Sequence, residues 1–216
     1  MRPVEHIADS ALLGTGALLS AIGLAILVRL AQATGSPAAI ASVSVYGATL
    51  VTAYVGAGLY EARIGGAKAI ARFQALDHST IFLLIAGTYT PLCALALPDA
   101  GGWWLLALNW GIALTGIFVR VFWLRHPYRW SPVLYLLQGW IGVPLVPALV
   151  RSAGIETLEL IAAGGVAYTV GIGFYLWRGF RFGTLIWHVF VVAGSFCHFL
   201  AVALYVLPAY ARSIGR

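Results

Sequence analysis

The chain has 216 residues, 61% of them hydrophobic and only 9% charged, where a soluble domain carries about 25% charged residues. A mean hydropathy of +0.91 excludes a water-soluble globular domain and indicates a multi-span membrane protein whose core is the interior of a helix bundle. The net charge of +6 does not signal a nucleic-acid partner, because the basic residues sit in short loops between apolar runs, where they orient a membrane protein.

A membrane span needs about 20 mostly apolar residues. By that measure the sequence predicts helices over 11–33, 39–60, 77–97, 103–123, 131–150, 158–177 and 184–207. Arg2 followed by the apolar stretch Ala11 to Val28 imitates a signal peptide. However, Glu5 and Asp9 precede that stretch, and it exceeds the roughly 7–15 residues of a signal core, so it reads as a retained first span. The connections are short and carry breakers: Gly35-Ser36-Pro37, Gly65-Gly66, Pro98 to Gly102, and His126-Pro127. Thr90-Pro91 in helix three and Pro144 and Pro147 in helix five predict interruptions. Gly14, Gly16, Gly23, Gly164, Gly165, Gly171 and Gly173 predict close helix contacts. Cys93 and Cys197 lie in apolar runs and read as small core residues, not a disulfide. The expected fold is all-α, a single seven-helix membrane domain over residues 1–216.

Seven spans place the N-terminus and loops two, four and six on one side. That side holds Arg2, Arg63, Lys68, Arg72, Arg120, Arg125, Arg129, Arg178 and Arg181, against Arg29, Arg151, Arg212 and Arg216 on the other. The excess of positive charge predicts a cytoplasmic N-terminus and an outside C-terminus. Trp103, Trp104, Trp123, Trp130, Trp177 and Trp187 fall near span ends, as interfacial anchors do.

Ionisable groups at membrane depth are costly and mark function. Glu61 closes the second predicted helix, Asp77 and His78 open the third, and His188 lies about one turn into the seventh, all at the end predicted to be cytoplasmic. Glu5 and Asp9 share that level, whereas Asp99, Glu156 and Glu159 fall in loops at the other end. Thr184, His188 and Ser195 share one face of helix seven, with His198 about 15 Å deeper. Zinc accepts His nitrogen and carboxylate oxygen, and a three-ligand site activates water. His188, Glu61 and Asp77 are the candidate metal ligands, with Asp77 also the candidate catalytic residue that holds the attacking water. No His pair at i, i+4 is present. The competing structural readings make Asp77 an N-cap, Glu61 the partner of a loop arginine, and His188, His78 and His198 hydrogen-bonded interior histidines.

Leu76-Asp77-His78-Ser79 with Ile85-Ala86-Gly87-Thr88-Tyr89-Thr90-Pro91, and Ile186-Trp187-His188-Val189-Phe190 through Gly194-Ser195-Phe196-Cys197-His198-Phe199, resemble signatures of the haemolysin III family, which groups with the progestin and adiponectin receptors. Tyr46-Gly47-Ala48, Leu59-Tyr60 and Tyr168-Thr169-Val170-Gly171 agree in register. The resemblance implies seven helices with the N-terminus inside. It also implies a zinc ion on three histidines, one ending helix two and two opening helix seven, with an Asp from helix three holding the metal-bound water of a lipid amide hydrolase of ceramide-type substrates. Here the helix-two Ser and His positions are Ala57 and Glu61, the first helix-seven His position is Thr184, and Leu13 replaces a helix-one His. Only His188 and Asp77 keep their places, so a three-His site cannot form.

Two readings follow. Glu61 substitutes as a ligand, favouring manganese or iron over zinc, or no metal binds and Arg63, Arg72 or Arg181 pairs with Glu61 or Asp77. The expected function is that of a haemolysin-III-like protein of the bacterial inner membrane in lipid homeostasis or sensing, with membrane lipids as partners and a degenerate metal site. The alternatives are a metal-dependent lipid amide hydrolase and a pore-former. The last has little support, since the ionisable residues cluster at one end instead of along a continuous face.

Overall fold

The computed structural model describes residues 3–123, 131–177 and 179–215. These form seven helices long and apolar enough to cross a membrane: α1 (Glu5–Ala33, its first turn starting at Pro3), α2 (Pro37–Glu61), α3 (Ala67–Ala96), α4 (Gly102–Phe122), α5 (Ser131–Ala153), α6 (Ile155–Leu176) and α7 (Gly183–Ser213). No strand occurs among the described residues. Arg2, Arg125, His126-Pro127, Arg129, Trp130, Arg178, Arg216 and the Trp123 side chain lie outside them.

Three helices run beyond their apolar stretches. The sequence reading starts helix three at 77, but α3 begins at Ala67 after the N-cap Gly66. Asp77 is therefore an interior helical residue and not an N-cap. The segment Ala67-Lys68-Ala69-Ile70-Ala71-Arg72-Phe73-Gln74 is rich in strong helix formers, but Lys68, Arg72 and Gln74 keep it below any hydropathy threshold. In the same way α1 starts before Glu5, and α7 continues to Ser213.

The predicted interruptions occur. Pro91 ends the regular part of α3 and a π-helical turn follows over Leu92–Ala96. In α5 the regular helix stops at Trp140 and resumes at Val146 after a 3-10 turn over Val143–Leu145. Tyr89 of α3 fills that break: its hydroxyl donates to Gly139 O at 2.6 Å and accepts from Gly142 N at 3.0 Å. Of the glycines expected at helix contacts, Gly16, Gly23, Gly164, Gly165 and Gly171 do face a neighbour, whereas Gly14 and Gly173 face open space. At Gly164 the backbones of α6 and α7 come close, with Gly194 O only 3.0 Å from where a Cβ would sit. Both cysteines are free.

The main apolar core joins α1, α2, α3, α5 and α7 around Leu13, Leu27, Val43, Tyr46, Leu50, Leu92 and Val202. A polar cross-tie joins α3, α4 and α5. Gln138 Nε2 donates to Asn109 Oδ1 at 2.9 Å and to Phe82 O at 3.3 Å, with both side chains fully buried. Interhelical hydrogen bonds in a membrane contribute about 1 kcal/mol. Gln138→Leu is expected to lower stability by about that amount, read as a lower unfolding temperature in detergent.

Candidate functional site

Alternating helix direction brings the starts of α1, α5 and α7, the end of α2, the third turn of α3 and the last turns of α4 and α6 to one end of the bundle. There Glu61, Asp77, His78, Thr184 and His188 line a single cavity of about 350 Å³, together with Tyr60, Tyr135, Tyr175 and Trp187. The residues that the sequence places at one level thus share one chamber.

Helix α1 supplies the partners. Asp9, fully buried, has Oδ1 2.7 Å from His188 Nδ1. A carboxylate only accepts, so the proton sits on Nδ1 and the other ring nitrogen, Nε2, is left to the cavity. His6 Nδ1 lies 2.8 Å from Glu61 Oε2, and Glu5 Oε1 lies 3.8 Å from Arg181 Nε. Three residues in the first two turns of α1 therefore tie it to α2, to α7 and to the loop before α7.

Asp77 stands near the middle of this arrangement, in electrostatic reach of His188, Glu61, Asp9 and Arg120. Its Oδ2 is 3.5 Å from His78 Nδ1, which also lies 2.9 Å from Gln74 O one turn back. The Tyr135 hydroxyl of α5 donates to His78 O at 2.9 Å. Deeper in α7, His198 Nε2 donates to Ile161 O of α6 at 3.2 Å, the structural role expected for it. Ser195 shares a 2.8 Å hydrogen bond with Tyr168 of α6 and stays outside the polar cavity.

Two expectations about charge partners change. Arg181 meets Glu5, not Glu61 or Asp77, and Arg63 lies 4.6 Å over the Tyr60 ring. The cation that reaches Asp77 is Arg120, buried near the end of α4. It reads as a loop charge in sequence, although its setting in Phe118-Val119-Arg120-Val121-Phe122 is the signal of an inward-facing arginine. His6 also escapes the sequence reading. It lies outside the apolar run, but its i, i+3 relation to Asp9 puts both on one face once α1 is extended to Pro3.

A resident metal of the kind the resemblance implies needs three donors converging on one point. Among the described residues no group of three His, Cys, Asp or Glu side chains is so arranged. Glu61 is turned to His6, while the Nδ1 bond of His188 to Asp9 leaves Nε2 open and does not argue either way, since metal-binding histidines commonly hold a carboxylate at the other ring nitrogen. The donor set as folded does not fit such an ion.

A bundle of seven apolar helices with a polar chamber at one end defines a multi-pass integral membrane protein. The haemolysin-III-related family profile matches residues 12–199. The chain is 38% identical over 204 residues to Hemolysin-3 of Bacillus cereus, covering 94% of this chain and 93% of that one. It is 35% identical over 201 residues to the Hemolysin-3 homolog of Bacillus subtilis (strain 168), covering 93% and 94%. It is 28% identical over 142 residues to the human Monocyte to macrophage differentiation factor, covering 62% of this chain and 56% of that one. The chain belongs to the haemolysin-III-related family.

Removing one partner of a buried hydrogen bond leaves the other's polar group unsatisfied at a cost of about 1–3 kcal/mol, more where that group is charged, whereas replacing both by apolar groups can be nearly neutral. His188→Leu, which strands Asp9, is expected to destabilise on that scale. Adding Asp9→Leu is expected to restore most of the loss in the same unfolding measurement.

Proposed function

We propose that this protein is a lipid-responsive member of its family, acting in membrane lipid homeostasis or sensing, in the bacterial plasma membrane with its N-terminus cytoplasmic. One observation carries the reading. The polar cavity shares Ile81, Tyr135, Ile172 and Trp187 with a second chamber of about 190 Å³, lined almost wholly by apolar side chains of α3, α5, α6 and α7. A polar chamber that adjoins an apolar one suits an amphipathic molecule, which would place its head near Glu61, Asp77 and His188 and pass its chain inward between these shared residues. The His6–Glu61 pair supports a degenerate metal site, since it engages the carboxylate that stands at the helix-two ligand position.

A metal-dependent lipid amide hydrolase is the second reading, favoured by the fact that Glu61, Asp77 and His188 line the same chamber. Elemental mass spectrometry of the gently purified protein separates the two. The sensing reading expects no transition metal after supplementation with zinc, manganese and iron. Near-stoichiometric metal, lost in both His188→Ala and Glu61→Ala, would establish the hydrolase reading instead.

Ligand binding is tested by stability. A single-chain amphiphile that binds only the folded state raises the unfolding temperature. That rise is expected for the wild type and not for Ile172→Trp, which fills the passage between the chambers. No rise with amphiphiles of any head group would sink the lipid-responsive reading.

A further inference from the structure

The acidic residues divide sharply by place. Of the seven Asp and Glu in the chain, the four at the cavity end, Glu5, Asp9, Glu61 and Asp77, are turned inward, and the three that are exposed, Asp99, Glu156 and Glu159, lie at the opposite end. The surface around the cavity is left cationic, with Arg63, Lys68, Arg72 and Arg181 all exposed.

Disfavoured backbone occurs at one of these cations and next to another. Arg63 and Phe182 are the non-glycine residues with positive φ among the described residues, at 52° and 62°. Crowding at Cβ opposes that conformation, which persists only where the surroundings enforce it and collects at functional sites. Here each instance sets a guanidinium over an aromatic ring. Arg63 lies 4.6 Å over Tyr60, whose hydroxyl accepts from Gln74 Nε2 at 3.0 Å and whose ring lines the cavity. Arg181 lies 4.8 Å over Phe182, with its Nε 3.8 Å from Glu5. Glu5 and His6 are neighbours in α1, and His6 holds Glu61, two residues before Arg63. The two arginines are therefore both linked to the first turn of α1, at the cavity end of the bundle.

Arg63 directs one Nη to the Tyr60 hydroxyl at 3.5 Å and Arg181 directs Nε toward Glu5, and the remaining N–H groups of each guanidinium can give a planar two-point contact with phosphate, the chemistry at which arginine exceeds lysine. We propose that Arg63 and Arg181 clamp the phosphate of an anionic phospholipid at the mouth of the polar cavity. The inference is independent of what the cavity itself holds. The rim lies at the end of the spans, the level of lipid head groups, and juxtamembrane basic residues there are attracted to anionic lipid.

The test is retention of lipid by the full-length protein, delipidated and reloaded in detergent with equal phosphatidylglycerol and phosphatidylcholine, then weighed by native mass spectrometry. The wild type is expected to retain phosphatidylglycerol over phosphatidylcholine. Arg63→Gly is expected to weaken that retention about fivefold, the effect of one basic group at an anionic surface, and Arg181→Gln by a similar factor. Glycine adopts the left-handed backbone without strain, so Arg63→Gly is expected to unfold no earlier than wild type, which separates lost binding from lost folding. Arg212→Gln, at the opposite end, is expected to retain lipid as wild type does. Equal retention of the two lipids, unchanged retention in both Arg63→Gly and Arg181→Gln, or equal loss in Arg212→Gln would overturn the proposal. Displacement of the retained lipid by soluble glycerol phosphate would overturn it in favour of a free phosphoester.

Discussion

An ionisable group withdrawn from water must meet a partner, and the polar end of this bundle is built on that constraint. Asp9 is completely buried and His188 nearly so, and each answers the other at 2.7 Å. The neighbouring His6–Glu61 pair repeats the solution between α1 and α2. Because both pairs include α1, the first helix is not a peripheral anchor. Its opening turns set the rotation of α2 and α7 against each other, and thereby decide which way His188 faces.

The same pairs explain how the chain departs from the pattern its resemblance implies without leaving a buried charge exposed to hydrocarbon. A glutamate in place of a histidine at position 61 would be costly alone, yet His6 reaches it from α1. Asp77 keeps a cation nearby in Arg120 and a second imidazole in His78. Helix α1 joins α2 and α7 through hydrogen bonds beside the polar chamber.

Charge is sorted by depth as well as by side. At the cavity end the carboxylates point into the bundle together with Arg120, whereas Arg63, Lys68, Arg72 and Arg181 are exposed, so the rim is more cationic than the interior of the chamber. Such an arrangement presents polar acceptors to whatever enters the chamber and cationic donors to the membrane surface around it.

The sequence by itself determined the seven spans, their breaks at Pro91 and Pro144, the family, and the common level of Glu61, Asp77, His78 and His188. Transfer of a side chain into a bilayer is a cost that each residue carries individually, so a linear reading recovers it. The same reading ended helices where polarity begins, which made Asp77 look like a cap and left His6 outside the first helix. Only the tertiary structure decided the partners: Asp9 for His188, His6 for Glu61, Arg120 near Asp77, and Arg181 for Glu5. Pairing depends on the rotation of each helix about its axis and on which helices are neighbours. Those are set by packing across the whole bundle, from the close approach at Gly164 to the Asn109–Gln138 tie, and no single stretch of sequence contains them.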